Sequence, residues 1–90
     1  MPSVHLLIKG KVQGVFYRVS AKGKADSLLL NGWVKNTPEG AVEAIATGTK
    51  ENIQLFVDWC RKGPLYATVS SVEVSEIEEE LFDGFQIVKE

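Results

Sequence analysis

The chain has 90 residues, and 10 Lys or Arg against 12 Asp or Glu give a formal net charge of −2 at pH 7. This length fits one domain over residues 1–90, and a net acidic chain argues against a nucleic-acid partner. One cysteine excludes an intrachain disulfide framework, one histidine excludes an ordinary zinc site, and the apolar run at residues 28–30 is too short to cross a membrane. We expect a cytoplasmic protein without metal, cofactor, nucleic-acid or membrane partners, and nothing in the sequence requires more than a monomer.

The first half of the chain predicts a strand, a helix and two further strands. Apolar residues alternate over residues 4–8, which indicates a strand that ends at Gly10. A helix should run from about Tyr17 to just before Asn31. Its expected apolar stripe consists of Val19, Ala21, Ala25, Leu28 and Leu29. Residues 33–35 and 41–46 predict two strands that are joined by a turn containing Pro38 and Gly40.

The second half predicts a helix and two strands. Thr49 is a candidate N-cap, and the Gly63-Pro64 pair should end the helix. The apolar stripe of this helix is Ile53, Phe56, Val57 and Cys60. A fourth strand is expected over residues 69–77 and a short fifth over residues 85–88. The order βαββαβ plus one strand predicts an α+β, ferredoxin-like split βαβ sandwich, with an antiparallel sheet and two helices on one face.

The loop after the first strand is a candidate anion site. Gly10 and Gly14 bound a short loop that leads into a helix, where backbone N–H groups and the helix dipole can converge on one anion. Arg18 lies near the first helical turn, and its planar guanidinium matches two phosphate oxygens at once. The Gly-x₃-Gly spacing matches neither the dinucleotide fingerprint nor the nucleotide P-loop. Spacing alone therefore leaves both an anion site and a plain strand-to-helix turn open.

If phosphate binds in this loop, water is the simplest nucleophile. Cys60 falls on the apolar stripe of a helix, and His5 is far back on the first strand. Water attack needs a group that holds the molecule in line with the leaving oxygen, and a neutral carboxamide does so without adding negative charge. Asn36, at the end of the second strand, is the candidate. A simple turn residue before Thr37 and Pro38 is the alternative for this position.

Two longer stretches resemble a known family. Residues 10–18, GKVQGVFYR, are similar to the first signature of the acylphosphatases, with Tyr17 where phenylalanine is often found. Residues 32–42, GWVKNTPEGAV, followed by Gly48, are similar to the second signature. The resemblance implies a small, free-standing enzyme that hydrolyses acyl phosphates to a carboxylate and inorganic phosphate without a metal or a covalent intermediate.

The resemblance also implies roles for particular residues. Arg18 would hold the phosphate, Asn36 would orient the attacking water, and the substrate's own phosphate would accept the proton. The phosphate would also bind the backbone amides of Lys11, Val12, Gln13, Gly14 and Val15. Inorganic phosphate is expected as product and inhibitor. The main alternative is a non-catalytic phosphate- or anion-binding module on the same fold. An RNA-recognition module is disfavoured because the first and third strands lack stacking aromatic residues.

Overall fold

The computed structural model describes residues 1–89, and Glu90, the last residue of the predicted domain, lies outside them. The chain forms five strands and two helices in the predicted order. Their bounds are β1 Ser3–Lys11, α1 Tyr17–Ser27, β2 Asn31–Asn36, β3 Val42–Thr47, α2 Lys50–Lys62, β4 Thr68–Ile77 and β5 Phe85–Ile87. All five strands belong to one sheet with the order β4-β1-β3-β2-β5, so β1 and β3 are central. The α+β ferredoxin-like prediction is confirmed.

The sheet is mixed rather than wholly antiparallel. The pairs β1–β3, β1–β4 and β2–β3 are antiparallel, as expected. The fifth strand instead pairs parallel to β2, with Gly32 opposite Phe85 and Val34 opposite Ile87. A long connection after β4 allows this, because the chain crosses from one edge of the sheet to the other before β5 begins. The pattern of apolar residues in β5, which has only three residues, does not indicate whether the strand pairs parallel or antiparallel.

Both helices pack on the face of the sheet that carries the even-numbered residues of β1. Val4, Leu6 and Ile8 of β1 are buried on this face, and β3 contributes a similar row. The predicted stripe of α2 is confirmed, since all four of its residues are buried. In α1, the buried residues are Tyr17, Ala21 and Ala25.

The expected stripe of α1 is wrong at two positions. Val19 is 64% exposed and Leu29 is 82% exposed. The helix ends at Ser27, and Leu29 follows it in a left-handed backbone conformation with φ 57°, so its side chain no longer continues the helical face. Tyr17 takes the place that Val19 was expected to fill: its hydroxyl donates a hydrogen bond of 2.8 Å to the Cys60 carbonyl and joins the two helices.

Candidate active site

The loop at residues 12–16 connects β1 to α1 and has an unusual backbone. Gly14 has φ 73° and Phe16 has φ 63°, so two of the five positions are left-handed. Glycine adopts this region freely, whereas a bulky L-residue loses about 1–2 kcal/mol there. Turns of this kind are how a short segment aims several N–H groups toward one side and forms an anion-binding concavity.

The N-terminus of α1 is open, whereas that of α2 is capped. Within the described chain, Phe16 at the N-cap of α1 makes no side-chain capping hydrogen bond, and the first turn contains no acidic residue. In α2, Thr49 Oγ1 accepts a hydrogen bond of 3.1 Å from the Asn52 N–H, and Glu51 lies in the first turn. The first N–H groups of a helix have no intrahelical partner. Those of α1 therefore remain available to an anion at the positive end of the helix dipole.

The side chain of Gln13 ties this loop to the turn between β2 and β3. Its Nε2 donates to the Thr37 carbonyl at 2.9 Å and to the Ala41 carbonyl at 2.8 Å. The turn also has its own hydrogen bonds, with the Thr37 N–H donating to the Ala41 carbonyl and the Gly40 N–H donating to the Thr37 carbonyl. Gln13 thus holds the end of β2 beside the loop. The family resemblance implied a role only for its backbone amide, and a glutamine inside a loop gives no sequence signal of such a link.

The position of Asn36 follows from the alternation of β2. Val34 is fully buried on the face that the helices cover, and Asn36, two residues later, belongs to the same face at the loop end of the strand. Asn36 is only half-buried. The hydrogen bonds that close the following turn are made by the backbone and hydroxyl of Thr37, so the alternative of Asn36 as the residue that closes the turn loses its support.

Arg18 is half-buried in the first turn of α1, and its guanidinium is weakly held. Nη1 lies 3.5 Å from the Val88 carbonyl, at the outer limit of a hydrogen bond. Across residues 1–89, no carboxylate lies within 4.0 Å of the guanidinium nitrogens. Lys22, one turn later, is instead engaged by Asp26 at 2.9 Å and by the Phe85 carbonyl at 3.0 Å. Arg18 is therefore the cation that is free to bind an anion at this end of α1.

These elements line one cleft of about 260 Å³ that opens to solvent. Its lining residues are Val12, Gly14, Phe16, Tyr17, Arg18, Val19 and Asn36. Four of the seven predicted site residues are thus brought together: Val12, Gly14, Arg18 and Asn36. The other three do not line it. Lys11 ends β1 with an exposed side chain, Gln13 is turned toward the β2–β3 turn, and Val15 is 5% exposed and belongs to the core.

The cleft also contains two exposed apolar side chains that the sequence does not assign to it. On the sequence alone, Phe16 can either border an acyl group or pack in the core, with the core favoured, and Val19 was expected in the apolar stripe of α1. Both are exposed, at 74% and 64%, and both line the cleft. Val19 adjoins Arg18 in the sequence, which was a usable signal, whereas the exposure of Phe16 depends on its left-handed φ of 63° and had none.

A second and larger cavity lies between α2 and the edge strand β4. It measures about 520 Å³, and Lys50 and Arg61 contribute positive charge while Glu76 contributes negative charge. Its lining includes no glycine and no uncapped helix start, and the carboxamide of Gln54 already donates to Asp58 Oδ1 at 2.9 Å. The smaller cleft is therefore the better candidate for an anion site, although it has half the volume.

Side chains that could serve as nucleophiles lie elsewhere or are inactive. Cys60 is fully buried, and burial raises the pKa of its thiol to about 12. Burial also raises the pKa of the Tyr17 hydroxyl, which stays protonated and donates to the Cys60 carbonyl. The Nε2 of His5 lies 2.6 Å from Glu43 Oε2, on the sheet face opposite the helices. Within residues 1–89, no group of three His, Cys, Asp or Glu is arranged to hold a metal ion, and neither helix is long and apolar enough to span a bilayer.

Comparison with known proteins identifies the family of this chain. The acylphosphatase family model matches residues 4–87. The chain belongs to the acylphosphatase family. An acylphosphatase of Methylococcus capsulatus is 48% identical over 77 residues, which cover 86% of this chain and 84% of that protein.

Solved acylphosphatase structures extend the match to the whole fold. The crystal structure of the Bacillus subtilis acylphosphatase superposes with a TM-score of 0.96 at 34% identity, covering 99% of this chain and 100% of that one. The Coxiella burnetii acylphosphatase gives 0.94 at 41% identity, with coverage of 97% and 92%. The expected family is confirmed, and the protein is an acylphosphatase, an enzyme that hydrolyses acyl phosphates.

Proposed function

We propose that this acylphosphatase cleaves the carboxyl-phosphate bond by direct attack of a water molecule that Asn36 orients, while Arg18 and the amides of the β1–α1 loop hold the phosphate. One observation carries the proposal. A guanidinium from α1 and a carboxamide from β2 line the same cleft as the backbone of the loop at Val12 and Gly14. Cation, amide donors and a neutral water-binding group are therefore within one small volume.

The chemical step needs no further group. The water oxygen forms a bond to phosphorus, the bond between phosphorus and the acyl oxygen breaks, and its electron pair leaves with the carboxylate. Both protons of the water end on the new phosphate, so that a dianionic acyl phosphate and water give a carboxylate and dihydrogen phosphate. The substrate phosphate itself accepts the transferred proton, which fits a cleft lined by Arg18 and Asn36 and by no carboxylate.

The magnitudes fit so sparse a site. An acyl phosphate is a mixed anhydride and is already activated, so positioning and charge stabilisation carry the catalysis. Charge-assisted hydrogen bonds contribute about 1.5–3 kcal/mol each, and the loss of one donor to the transition state costs on the order of 10²–10³ in rate. Arg18 has no carboxylate partner in the described chain, so no ion pair there competes with the phosphate for its charge.

Two substitutions separate the roles of the two side chains. Arg18→Lys keeps the charge but loses the planar fork, and we expect it to lose most activity and to raise the inhibition constant of inorganic phosphate. Asn36→Ala should lower kcat by about 10²–10³ while phosphate still inhibits competitively. Phosphate release from benzoyl phosphate, with and without added inorganic phosphate, measures both quantities.

Matched controls come from the same elements and residue types. Asn31 lies at the far end of β2 and is also half-buried, and Arg61 is an arginine at the end of α2. Asn31→Ala and Arg61→Lys should keep wild-type kinetics. Near-full turnover in Asn36→Ala would refute the water-orienting role. Wild-type binding of phosphate without any turnover would instead support the alternative, a non-catalytic phosphate-binding module.

Three further expectations stay predictions. They are a single domain over residues 1–90, a monomer, and a cytoplasmic location without nucleic-acid partners. The backbone amides of Lys11, Gln13 and Val15 are likewise proposed to contribute to phosphate binding, since all three flank the positions that line the cleft. Size-exclusion chromatography with light scattering tests the oligomeric state: a mass near 9.9 kDa supports a monomer, and a multiple of it contradicts one.

A further inference from the structure

The cleft has an apolar rim that phosphate binding does not use. Phe16 and Val19 both line it, and both are among the most exposed large apolar side chains near the loop, at 74% and 64%. Phosphate and its ligands are polar or charged, so an aromatic ring and an isopropyl group beside them have no function in holding the anion. Scattered exposed apolar residues are ordinary, but two that share one cleft form a local apolar surface.

Phe16 is held in this position by an unfavourable backbone conformation. Its φ of 63° is left-handed, a region in which a bulky L-residue is a rare outlier. Its ring is exposed, so burial in the core does not compensate for the strain. Conformations of this kind concentrate at ligand-binding positions. Here the left-handed backbone directs the chain from the loop into α1 and leaves the ring at the edge of the cleft.

Val19 completes the rim from the first turn of α1. It lines the same cleft as Phe16, which directly precedes α1 as its N-cap residue. Arg18 lies between them in sequence and lines the same cleft. An acyl group that leaves the phosphate near Arg18 therefore lies within reach of an aromatic and an aliphatic side chain.

We infer that Phe16 and Val19 form a subsite for the acyl part of the substrate, and that these two side chains determine how strongly the enzyme discriminates between an aromatic acyl phosphate and acetyl phosphate. This inference rests on the proposed function, since it assumes that the phosphate occupies the adjoining part of the cleft. The acyl group packs against the Phe16 ring and covers Val19, which removes apolar surface of both partners from water. Acetyl phosphate offers only one methyl group for this contact.

The test compares benzoyl phosphate with acetyl phosphate in phosphate-release assays. The ratio of their kcat/KM values should fall about tenfold in Phe16→Ala and a few-fold in Val19→Ala. Val19 is an exposed helix position, so Val19→Ala folds even if the loop variant does not. Leu29→Ala is the matched control, because Leu29 is also apolar, exposed and left-handed but follows the other end of α1. It should keep the wild-type ratio.

The outcomes distinguish failure of the subsite from failure of the proposed function. A ratio that falls in both variants, and not in Leu29→Ala, supports the subsite. If both substrates lose the same factor and the inhibition constant of inorganic phosphate rises, Phe16 serves only the shape of the loop and the subsite is refuted. If the wild-type enzyme hydrolyses both substrates and the ratio of their kcat/KM values is the same in all variants as in the wild type, the subsite alone is refuted. A wild-type chain that hydrolyses neither refutes the proposed function, and the subsite with it.

Discussion

The hydrogen bonds from Gln13 to the β2–β3 turn should decide how well the two halves of the cleft are aligned. Gln13→Ala removes the two bonds of 2.9 and 2.8 Å to the carbonyls of Thr37 and Ala41. Each bond contributes about 0.5–1.5 kcal/mol. Both carbonyls keep a backbone partner, since Thr37 accepts from the Gly40 N–H and Ala41 accepts from the Thr37 N–H. Neither is left unsatisfied, so we expect a loss of about 1–2 kcal/mol rather than a larger one.

The effect on activity should exceed what this loss of stability explains. Asn36 directly precedes the turn that Gln13 holds, so releasing the turn lets the carboxamide move relative to the loop. A displacement of about 1 Å can cost on the order of 10²-fold in rate. We therefore expect kcat to fall about tenfold or more under conditions where Gln13→Ala remains folded.

Urea denaturation and steady-state phosphate release measure the two effects in the same samples. Gln86→Ala is the control, because its Nε2 makes a single exposed hydrogen bond of 3.2 Å to the Asp83 carbonyl. That variant should change the free energy of unfolding by less than about 0.5 kcal/mol and leave kcat unchanged. If Gln13→Ala is as stable and as active as Gln86→Ala, the link between loop and turn does not align the site.

Two further predictions concern backbone packing and the buried thiol. A Cβ on Gly32, which has φ 142°, would lie 1.8 Å from the Ile45 carbonyl oxygen, so Gly32→Ala should destabilise the protein by about 3 kcal/mol or more. Gly23 lies within α1, and a Cβ there would meet no neighbour, so Gly23→Ala should stabilise the protein by about 0.5–1 kcal/mol. Equal effects of the two substitutions in thermal denaturation would contradict this prediction. Burial raises the pKa of the Cys60 thiol to about 12, so at pH 8 this thiol should not react with thiol reagents and the treated enzyme should keep its activity. Fast labelling with inactivation would show that the thiol is accessible. Because burial raises the pKa of this thiol above its ordinary value of 9.0, the stability due to the buried neutral thiol is complete below about pH 9 and is lost as the pH rises toward 12.

The predictable parts of the fold are those in which apolar residues recur at a regular spacing over several positions. Alternation over β1 and the stripe of α2 each involve several residues in register, so one exception does not change the interpretation. The buried face of α1 was harder to predict, because two of its residues are small alanines. The larger apolar residues Val19 and Leu29 fitted the same spacing, although both are exposed. The direction of β5 could not be predicted, since three residues pair equally well in either direction and only the path of the preceding connection decides.

The candidate site divides in the same way. The placement of Arg18, Gly14 and Asn36 at one cleft was predictable because they occupy defined positions in two long motifs. The alternation of side chains along β2 then places Asn36 on the face that the helices cover. The hydrogen bonds of the Gln13 side chain were not predictable, because their acceptors are carbonyl groups that any residue carries. The exposure of Phe16 was not predictable either, since it depends on a left-handed φ that no sequence rule assigns to phenylalanine.

The central claim is that phosphate binds between the β1–α1 loop and Arg18. Titration of the ¹⁵N-labelled protein with inorganic phosphate, followed by ¹H–¹⁵N correlation spectra, tests it most directly. The account predicts that the largest shifts occur at the backbone amides of residues 12–16 and at the side-chain Nε of Arg18. Shifts concentrated around Lys50 and Arg61, in the larger cavity beside α2, with the loop unmoved, would contradict it.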